Sequence, residues 1–461
     1  MSTLWTHPDD RRRLDAAESV LFLVGSYDGS GNYGDVLQLA SAIEISRGLP
    51  GSPLVVPVIE RETYGHHREL RRRFGAAFDG AAFAFFQDGP EDRGDGLVPL
   101  SAGEVPPAGA VVHVYGGGFL NGWWGERKAA HVAAAEALTG GRPLPLAASG
   151  LQVEERAVAP GGVGHDLLAR ASWIGVRDAD SGEYVRRGIP AVAERVELAG
   201  DDALPFLLGS DGEPGRVVNL HLNDGSWIGE EAARIREAVV DLVRGLGGVD
   251  SASLELQPVI AYEDPRISER RIVADLLERH GGELEAAGFE LGEPLDVLED
   301  ALDNGLGAFR RARLTVSCSY HVTLTSLLAG IPAVMLAQNE YYAQKAAGLR
   351  DLFRLEPGLV GVRGGAEAVA AAAEALRDGP ARRRLVDHLR ARSDELAARF
   401  ERSRAALSVA LHAGLRVSAL ESELATAVAR AQAAESELAA IQATRGWRLL
   451  NRLRAARDMM R

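Results

Sequence analysis

Cysteine is nearly absent from the sequence, whose 461 residues include only Cys318. A single cysteine excludes an intramolecular disulfide and a zinc site built from several cysteines, and it predicts a small core residue at this position. No stretch reaches the roughly 20 apolar residues that a membrane-spanning helix needs. Residues 1–19 mix acidic and basic side chains and contain no apolar run, so a secretory signal is not expected. We therefore expect a protein of the reducing cytoplasm.

Basic residues are outnumbered, because 51 Lys and Arg stand against 65 Asp and Glu for a formal net charge of −14. A chain this acidic lacks the clustered positive charge that binds phosphate backbones, so we expect no nucleic-acid partner. The sequence also shows no cluster of side chains with metal-ligand spacing, so neither a metal nor a cofactor is expected. The apolar fraction of 46% and the charged fraction of 25% are those of a globular protein.

Short apolar runs alternate with amphipathic helical segments along most of the chain. This alternation predicts an α/β fold with doubly wound parallel sheets. Strands are expected at 20–24, 54–58, 110–115, 144–148, 173–176 and 196–198, and again at 217–220, 254–256, 314–316 and 333–336. A turn-rich linker at 210–215 separates an N-terminal domain at 15–209 from a C-terminal domain at 216–365. Ligands bind at the carboxyl ends of such strands, so we expect a cleft between the domains.

The sequence becomes purely helical after residue 365. We expect a helical segment at 366–412, a coiled coil at 413–445 and a basic amphipathic tail at 446–461. The coiled coil is indicated by apolar residues alternately three and four positions apart: Val417, Leu420, Leu424, Ala427, Ala431, Ala434, Leu438 and Ile441. Two interpretations of 417–441 stay open, since the segment can join copies of the chain in a homo-oligomer or lie on its own protein.

The tail at 445–461 contains six arginines and one acidic residue. Trp447, Leu449, Leu450 and Leu453 interleave with these arginines. A helix of this kind can lie on an anionic membrane, which would make the protein peripheral at the inner face of the membrane. The alternative is a helix docked on the protein with a solvated arginine face.

Two glycine-rich loops follow expected strands of the first domain. In the loop 31–35, glycines before a helix N-terminus allow backbone amides to approach an anion, and Asn32 can reach a sugar hydroxyl. Asp35 is a candidate catalytic residue, with a helix cap as the structural alternative. Gly116, Gly117 and Gly118 allow close approach of a ligand, unless they form only a tight turn.

Candidate side chains also stand at other expected strand ends. Arg177 can hold a carboxylate in a two-pronged bond, with an ion pair to Asp178 or Asp180 as the alternative. His321 begins a helix and offers an imidazole for proton transfer or hydrogen bonding.

Three further candidates come from the second domain. His221, followed by Asn223 and Asp224, can line the same cleft. Tyr341 brings a phenol to the cleft edge, and Lys345 can contact a phosphate as a point charge.

Taken together and in this order, the motifs resemble the polysaccharide pyruvyltransferase family over roughly residues 20–350. The segments that carry the resemblance are Gly31–Asp35, Gly116–Gly118, Val176-Arg177-Asp178 with Ser181, Asp201-Asp202 before Pro205-Phe206, and His321 with Ala329–Pro332.

The resemblance implies two Rossmann-like domains in a GT-B-like arrangement. It implies phosphoenolpyruvate as donor and a sugar residue of a glycan, or of its lipid-linked precursor, as acceptor. The product would be a pyruvate ketal. Arg177 would bind the carboxylate or phosphate of the donor, with His321 beside it, and Asp35 or Asp202 would complete the acid and base chemistry.

One departure from the family pattern concerns the donor anion. Family members usually carry Arg-Leu-His where this chain has Ser319-Tyr320-His321, so Lys345 or another cation would have to replace the arginine. Two other functions stay open. One is a GT-B glycosyltransferase that uses a nucleotide sugar, and the other is a non-catalytic scaffold that recruits partners through 417–441.

Overall fold

A computed structural model describes residues 2–103, 109–122, 124–209, 215–222, 231–247, 249, 253–263, 268–337, 339–356 and 358–459. Residues 210–214 of the linker expected at 210–215, and the candidates Asn223 and Asp224, lie outside the described residues.

The strands alternate with helices in chain order. The strands are β1 (Ser2–Thr6), β2 (Val20–Gly25), β3 (Gly31–Asn32), β4 (Leu54–Glu60), β5 (Ala84–Asp88), β6 (Val98–Leu100), β7 (Ala110–Tyr115), β8 (Leu146–Leu151), β9 (Ala171–Val176), β10 (Val196–Leu198), β11 (Val217–His221), β12 (Leu254–Ile260), β13 (Tyr262–Glu263), β14 (Phe289–Leu291), β15 (Leu295–Asp296), β16 (Ala312–Ser317), β17 (Ala333–Leu336) and β18 (Val360–Val362). The helices are α1 (Pro8–Asp15), α2 (Tyr33–Arg47), α3 (Tyr64–Arg73), α4 (Gly125–Leu138), α5 (Glu155–Val158), α6 (His165–Ala169), α7 (Ala179–Gly188), α8 (Leu204–Leu207), α9 (Glu231–Leu246), α10 (Glu269–Ala286), α11 (Val297–Asn304), α12 (Tyr320–Leu328), α13 (Glu340–Phe353), α14 (Ala366–Leu376), α15 (Pro380–Ala443) and α16 (Arg445–Met459).

The first domain is built on a sheet with the strand order β10-β9-β8-β7-β2-β4-β5-β1-β6. Neighbouring strands are parallel, except that β1 pairs antiparallel with β5 and β6. Every residue of β2 and β7 is buried, as befits strands covered on both faces. The local pattern does not predict β1 and β6, because strands at a sheet edge depend on pairing with distant residues.

The second domain contains a smaller parallel sheet with the order β14-β12-β11-β16-β17-β18, and β15 also pairs with β12. Its central strands are fully buried, as are those of the first sheet. The α/β class with two parallel, doubly wound sheets is therefore confirmed. The two domains face one another, and α15 returns from the second domain to the first, which is the GT-B-like arrangement.

The loop after β2 joins the two domains. Its residues Gly31–Asn32 form β3, which pairs antiparallel with β13 of the second domain, so that Asn32 lies opposite Tyr262. The Tyr33 amide donates to the Ala261 carbonyl at 2.8 Å, and the Tyr33 hydroxyl is 3.0 Å from Thr325 Oγ1. These contacts hold the N-terminus of α2 between the domains.

The C-terminal region is dominated by α15, a single 64-residue helix. Its first part packs on the second domain, where the Ser393 hydroxyl donates to the Leu328 carbonyl at 2.7 Å. Further along, Ser418 Oγ accepts the Ala110 amide of β7 at 2.9 Å. Most of the helical segment expected at 366–412 and of the coiled coil expected at 413–445 thus belongs to one continuous helix that contacts both domains.

The last turns of α15 extend away from the body of the protein. Described side chains from residue 423 to 444 are exposed, and Leu420 and Leu424 of the apolar stripe are 61% and 65% exposed. In α16, Leu449 and Leu453 are also exposed, at 60% and 62%. Neither apolar stripe is covered by the described part of this chain. No helix among the described residues is long and apolar enough to cross a membrane.

Candidate functional site

A buried polar network lies where strand ends of the first domain meet α12 of the second. Its centre is Asp201, which follows β10 and has no solvent exposure. Gln38 Nε2 on α2 donates to Asp201 Oδ1 at 2.9 Å, and Arg177 Nη1 donates to Asp201 Oδ2 at 3.3 Å. His321 Nε2 of the second domain lies 3.5 Å from the same Oδ2 atom. Asp201 therefore connects the two domains through their polar side chains.

The charge of Asp201 is stabilised by this network. Burial alone would raise the pKa of Asp201, but the charge and hydrogen bond of His321, together with Arg177, outweigh burial and hold that pKa below its usual range. An ionised carboxylate next to an imidazole orients the ring. Asp201 can thus prepare His321 for proton transfer.

The imidazole of His321 occupies space that only a glycine at position 34 leaves free. A Cβ atom built on Gly34 would lie 1.8 Å from His321 Nδ1 and 2.2 Å from its Cγ. The ring is also 3.4 Å from Gln38 Nε2 and meets the Tyr320 ring edge to face at 5.1 Å. The glycine in the loop 31–35 therefore admits the side chain from the opposite domain.

The Arg177 side chain is buried, and neighbouring side chains fix the position of its guanidinium group. Its guanidinium donates to Asp201 and Gln152, and its Cζ atom lies 4.1 Å from the centre of the Tyr320 ring. The ion-pair partner is therefore neither Asp178 nor Asp180. Asp178 instead caps α7 by accepting the Ser181 amide at 2.8 Å.

The glycine triplet forms a turn in which two residues are left-handed, Gly116 at φ 63° and Gly117 at φ 67°. A Cβ atom at Gly116 would lie 2.7 Å from Gln38 Oε1, and one at Gly118 would lie 2.8 Å from Gln152 Oε1. Both amide side chains belong to the network around Asp201 and Arg177. The turn therefore packs directly against the candidate site.

Asp202 holds the glycine turn in place through hydrogen bonds. Its Oδ2 atom accepts the Gly116 amide at 2.8 Å and the Ser149 hydroxyl at 2.7 Å, and the Ser149 hydroxyl is 2.8 Å from His113 Nε2. Burial raises the pKa of Asp202 to about 7. These contacts make Asp202 a residue that positions the glycine turn.

Asp35 is different, because it has no hydrogen bond or ion pair with any described residue. It lies half-buried in the first turn of α2 and does not cap the helix, whose N-cap residue is Asn32. Burial raises the pKa of Asp35 to about 6, although the charges of His321, Lys345 and Lys128 act in the opposite direction. The result is a carboxyl group that can exchange a proton near neutral pH.

Tyr341 and Lys345 stand on α13 of the second domain. Lys345 Nζ lies 4.1 Å from the centre of the Tyr341 ring, in a cation–π contact. The charge of Lys345 acts to lower the pKa of Asp35, although burial outweighs it.

His221 has a different position from the one expected. It is buried at the end of β11, where its Nε2 atom lies 3.2 Å from Glu269 Oε1. Glu269 Oε2 accepts the amides of Ala261 and Tyr262, the residues that meet the loop 31–35. His221 thus supports the junction between the domains from within the second domain.

Sequence reasoning missed Gln38 and Gln152, and it gave Asp201 no role of its own. Gln38 is completely buried on α2, one turn after Asp35, so its place on the same helix face as that candidate residue was the available signal. Asp201 had the same signal as Asp202, since both are acidic residues that follow β10 within a few positions. Within the described residues, no group of three or more His, Cys, Asp or Glu side chains is arranged to hold a metal ion.

Comparison with known proteins gives one family and a set of distant structural neighbours. The structure resembles UDP-GlcNAc 2-epimerase from Neisseria meningitidis bound to UDP-GlcNAc, with 12% identity, 83% of this chain and 100% of that chain covered and a TM-score of 0.44. It also resembles Anabaena HepE in complex with UDP-glucose, with 14% identity, 87% and 99% covered and a TM-score of 0.49. Sucrose-phosphate synthase from Thermosynechococcus elongatus has 14% identity, 84% and 97% covered and a TM-score of 0.45.

No curated protein matches the sequence. The family model for polysaccharide pyruvyl transferase matches residues 32–340, which include the loop 31–35 almost completely, the glycine triplet, Arg177, Asp201 and His321. This match covers more than half of the chain, so the protein belongs to the polysaccharide pyruvyl transferase family.

Proposed function

We propose that this transferase moves a pyruvyl group from phosphoenolpyruvate to two hydroxyl groups of one sugar residue in a cell-surface glycan or its lipid-linked precursor. The observation that carries the proposal is the contact of His321 with Asp201 across the domain junction, beside the carboxyl group of Asp35, which has no hydrogen-bond or ion-pair partner among the described residues. Family membership supports the transferase class, and the resemblance of the motifs supports this donor and acceptor.

The reaction needs one acid and one base. Protonation of the donor's methylene carbon makes the neighbouring carbon electrophilic, and a first sugar hydroxyl adds to it and loses its proton. A second hydroxyl then forms another carbon–oxygen bond as the bond to phosphate breaks, which completes the ketal and releases inorganic phosphate. One hydroxyl proton replaces the proton given to the methylene carbon, and the other leaves with the phosphate or the solvent.

Asp35 is the proposed acid. A bound anion raises the pKa of a nearby carboxyl group, and the pKa of Asp35 is already about 6. The group is therefore protonated when the donor is present and can give its proton to the methylene carbon. His321, oriented by Asp201, is the proposed base for the attacking hydroxyl.

Arg177 is the proposed contact for the carboxylate of the donor. A guanidinium has five N–H donors, so those not used by Asp201 and Gln152 can bind a ligand next to Gly118. A ligand next to Gly118 would lie within reach of the guanidinium, since a Cβ atom added to Gly118 would lie 3.7 Å from Arg177 Nη2. Asn32 and Tyr341 are the proposed contacts for the acceptor.

The test is a transfer assay with phosphoenolpyruvate and a panel of hexose and N-acetylhexosamine acceptors. We expect phosphate release together with a ketal product visible by mass spectrometry, and loss of both in Asp35→Asn and His321→Gln. Turnover of a nucleotide sugar instead would establish the glycosyltransferase alternative. Absence of binding by every donor in calorimetry, with oligomers intact, would support the scaffold alternative.

The exposed part of α15 supports a parallel association with a second copy. With Val417 and Leu420 as the first two core positions, Arg430 and Glu435 fall on opposite flanks of the core in successive heptads, five residues apart. This spacing pairs unlike charges between parallel helices. We expect Leu424→Glu to shift the full-length protein to a smaller species in light scattering. The neighbouring exposed change Ala425→Glu is the control and should leave the mass unchanged.

The exposed apolar residues of α16 support the proposed contact with an anionic membrane. Each arginine near such a surface contributes about 1 kcal/mol, and two tails on one dimer bind more strongly than one. The full-length protein should sediment with anionic vesicles at low salt, and a chain that ends at Thr444 should not. Equal sedimentation of the two would refute the membrane contact.

A further inference from the structure

A polar cavity that is separate from the network around Asp201 lies at the carboxyl end of β5. Its volume is about 100 Å³, which is room for several water molecules. Five polar side chains and one apolar side chain line it, and they come from the ends of β4 and β5, the loops that follow these strands, and α4: Glu62, Phe86, Gln87, Asp88, Arg93 and Arg127. Ligands of parallel α/β sheets bind at this edge, so the cavity lies where the fold places binding sites.

Arg127 gives the cavity a fixed hydrogen-bonding wall. Its Nε and Nη2 atoms donate to the two carboxylate oxygens of Glu60, at 2.9 and 2.6 Å. Its Nη1 atom donates to Asp88, and its Cζ atom lies 4.7 Å from the centre of the Phe86 ring. The guanidinium group therefore keeps one orientation, and two of its five N–H groups are not used by these acceptors.

The charges around the cavity balance one another. Glu62 and Asp88 are acidic, whereas Arg93 and Arg127 are basic. The side chains of Glu62 and Arg93 have no hydrogen-bond or ion-pair partner in the part of the chain that the structure describes. A phosphate site needs an excess of positive charge, which is not present here. A neutral ligand rich in hydroxyl groups fits better, because a hydroxyl donates to a carboxylate and accepts from a guanidinium group.

An exposed aromatic side chain stands on the same helix as Arg127. Trp124 is 57% exposed and precedes Arg127 by three positions, which places the two side chains on the same side of α4. The Trp124 amide donates to Asn121 Oδ1 at 3.0 Å, and Asn121 Nδ2 donates to the Gly118 carbonyl at 2.6 Å. Trp124 is thus connected to the glycine turn beside Arg177. An indole can pack on the C–H face of a sugar ring while its N–H group stays in water.

The cavity lies at a short distance from the loop that carries Asp35. Strand β4 pairs with β2, and β5 pairs with β4. Neighbouring strands are about 4.8 Å apart, so the end of β5 is about 10 Å from the end of β2. The loop after β2 also contacts the segment before Glu62, since the Glu60 amide donates to the Asp28 carbonyl at 3.3 Å. This separation is comparable with the length of one or two sugar units of a glycan.

We propose that this cavity and Trp124 form a distal subsite for a neutral sugar unit of the acceptor, one or two units away from the sugar that receives the pyruvyl group. The inference rests on the proposed function for the identity of the acceptor, and it specifies an oligosaccharide rather than a monosaccharide. Trp124 packs on the apolar face of the sugar ring. Glu62, Arg93 and Arg127 bind its hydroxyl groups.

Calorimetry in the absence of any donor tests the subsite. The probes are the β-1,4-linked trisaccharides of glucose, mannose and N-acetylglucosamine, each compared with its monosaccharide. At least one trisaccharide should bind the wild type about tenfold or more tightly than its monosaccharide. Trp124→Ala and Arg93→Gln should each weaken binding of that trisaccharide by roughly threefold to tenfold, because each removes one contact with the distal sugar. Neither change should alter binding of the monosaccharide.

Two exposed residues elsewhere supply matched controls. Val409 is 70% exposed on α15, and Arg279 is an exposed cation paired with Asp275 on α10, so Val409→Ala and Arg279→Gln should leave trisaccharide affinity unchanged. Trp124→Phe keeps an aromatic ring and should retain most of the affinity, but it should abolish the tryptophan fluorescence change that the trisaccharide causes in the wild type. Wild-type trisaccharide affinity in both Trp124→Ala and Arg93→Gln would overturn the proposal, as would trisaccharides that bind no more tightly than monosaccharides.

Transfer assays separate the subsite from the proposed function. If a trisaccharide binds through Trp124 and Arg93 but the wild type does not turn over phosphoenolpyruvate, the subsite stands and the proposed function fails. If the wild type transfers a pyruvyl group to a monosaccharide and to its trisaccharide with the same KM, the function stands and the subsite fails.

Discussion

Replacement of Gly34 by alanine is the sharpest single perturbation of the candidate site. The new methyl group would lie 1.8 Å from His321 Nδ1, whereas carbon and nitrogen in contact need roughly 3.5 Å. The imidazole must therefore move by more than 1 Å or α2 must shift. Either movement separates His321 from Asp201 and Gln38, which are now 3.5 and 3.4 Å away.

The expected effect on function is much larger than the effect on folding. Overpacking of this kind costs about 1–3 kcal/mol, whereas misplacing a reacting group by about 1 Å can cost about 100-fold in rate. We therefore expect Gly34→Ala to fold with a lower melting temperature and to lose at least about 100-fold in phosphate release from phosphoenolpyruvate.

A matched control is available in α3. Gly65 is the second residue of its helix and follows Tyr64, just as Gly34 is the second residue of α2 and follows Tyr33. A Cβ atom at Gly65 meets nothing within 4 Å. Gly65→Ala should keep full activity and gain up to about 1 kcal/mol in stability from helix propensity. Equal activity of the two variants would refute the assigned role of Gly34.

Three further changes test other parts of the structure. Asp202→Asn should flatten the pH dependence of stability. The pKa of Asp202 is about 7 against an ordinary 3.8, so the wild type loses up to about 4 kcal/mol as pH rises through this window, and melting temperatures between pH 4 and 8 would show it. Arg177→Ala should destabilise by about 3–5 kcal/mol in denaturant unfolding, because buried Asp201 loses its partner, and adding Asp201→Asn should restore part of the loss. Gly414→Leu should expose α15 to trypsin, because even a Cβ atom there lies 2.8 Å from Val111 Cγ2.

The sequence predicts those parts of the fold that local patterns determine. Apolar runs such as Val20–Val24 and Ala110–Tyr115 are strands because a buried parallel strand needs apolar residues on both faces. The glycine triplet and Arg177 could be placed near a site because both follow such strands directly. Helix α16 likewise follows from local composition.

The pairing of side chains could not be predicted, because it depends on residues far apart in the chain. Gln38 meets Asp201 across 163 positions and His321 across 283 positions. Arg177 pairs with Asp201, 24 residues away, although acidic residues stand immediately after it in the sequence. The packing of α15 could not be predicted either. A heptad pattern does not show which face of the helix packs on the domains.

The loop 31–35 illustrates how one short motif takes on several physical tasks. Its first two residues pair antiparallel with β13 of the other domain, and Tyr33 continues that contact with Ala261 and Thr325. Gly34 is required by the imidazole of His321, and so the glycine that suggested an anion-binding loop is explained by a side chain of this same protein. Asp35, directly after these junction residues, is the member of the motif left without a partner among the described residues. The backbone contacts of Gly31–Tyr33 with the second domain therefore fix the position at which Asp35 leaves the junction.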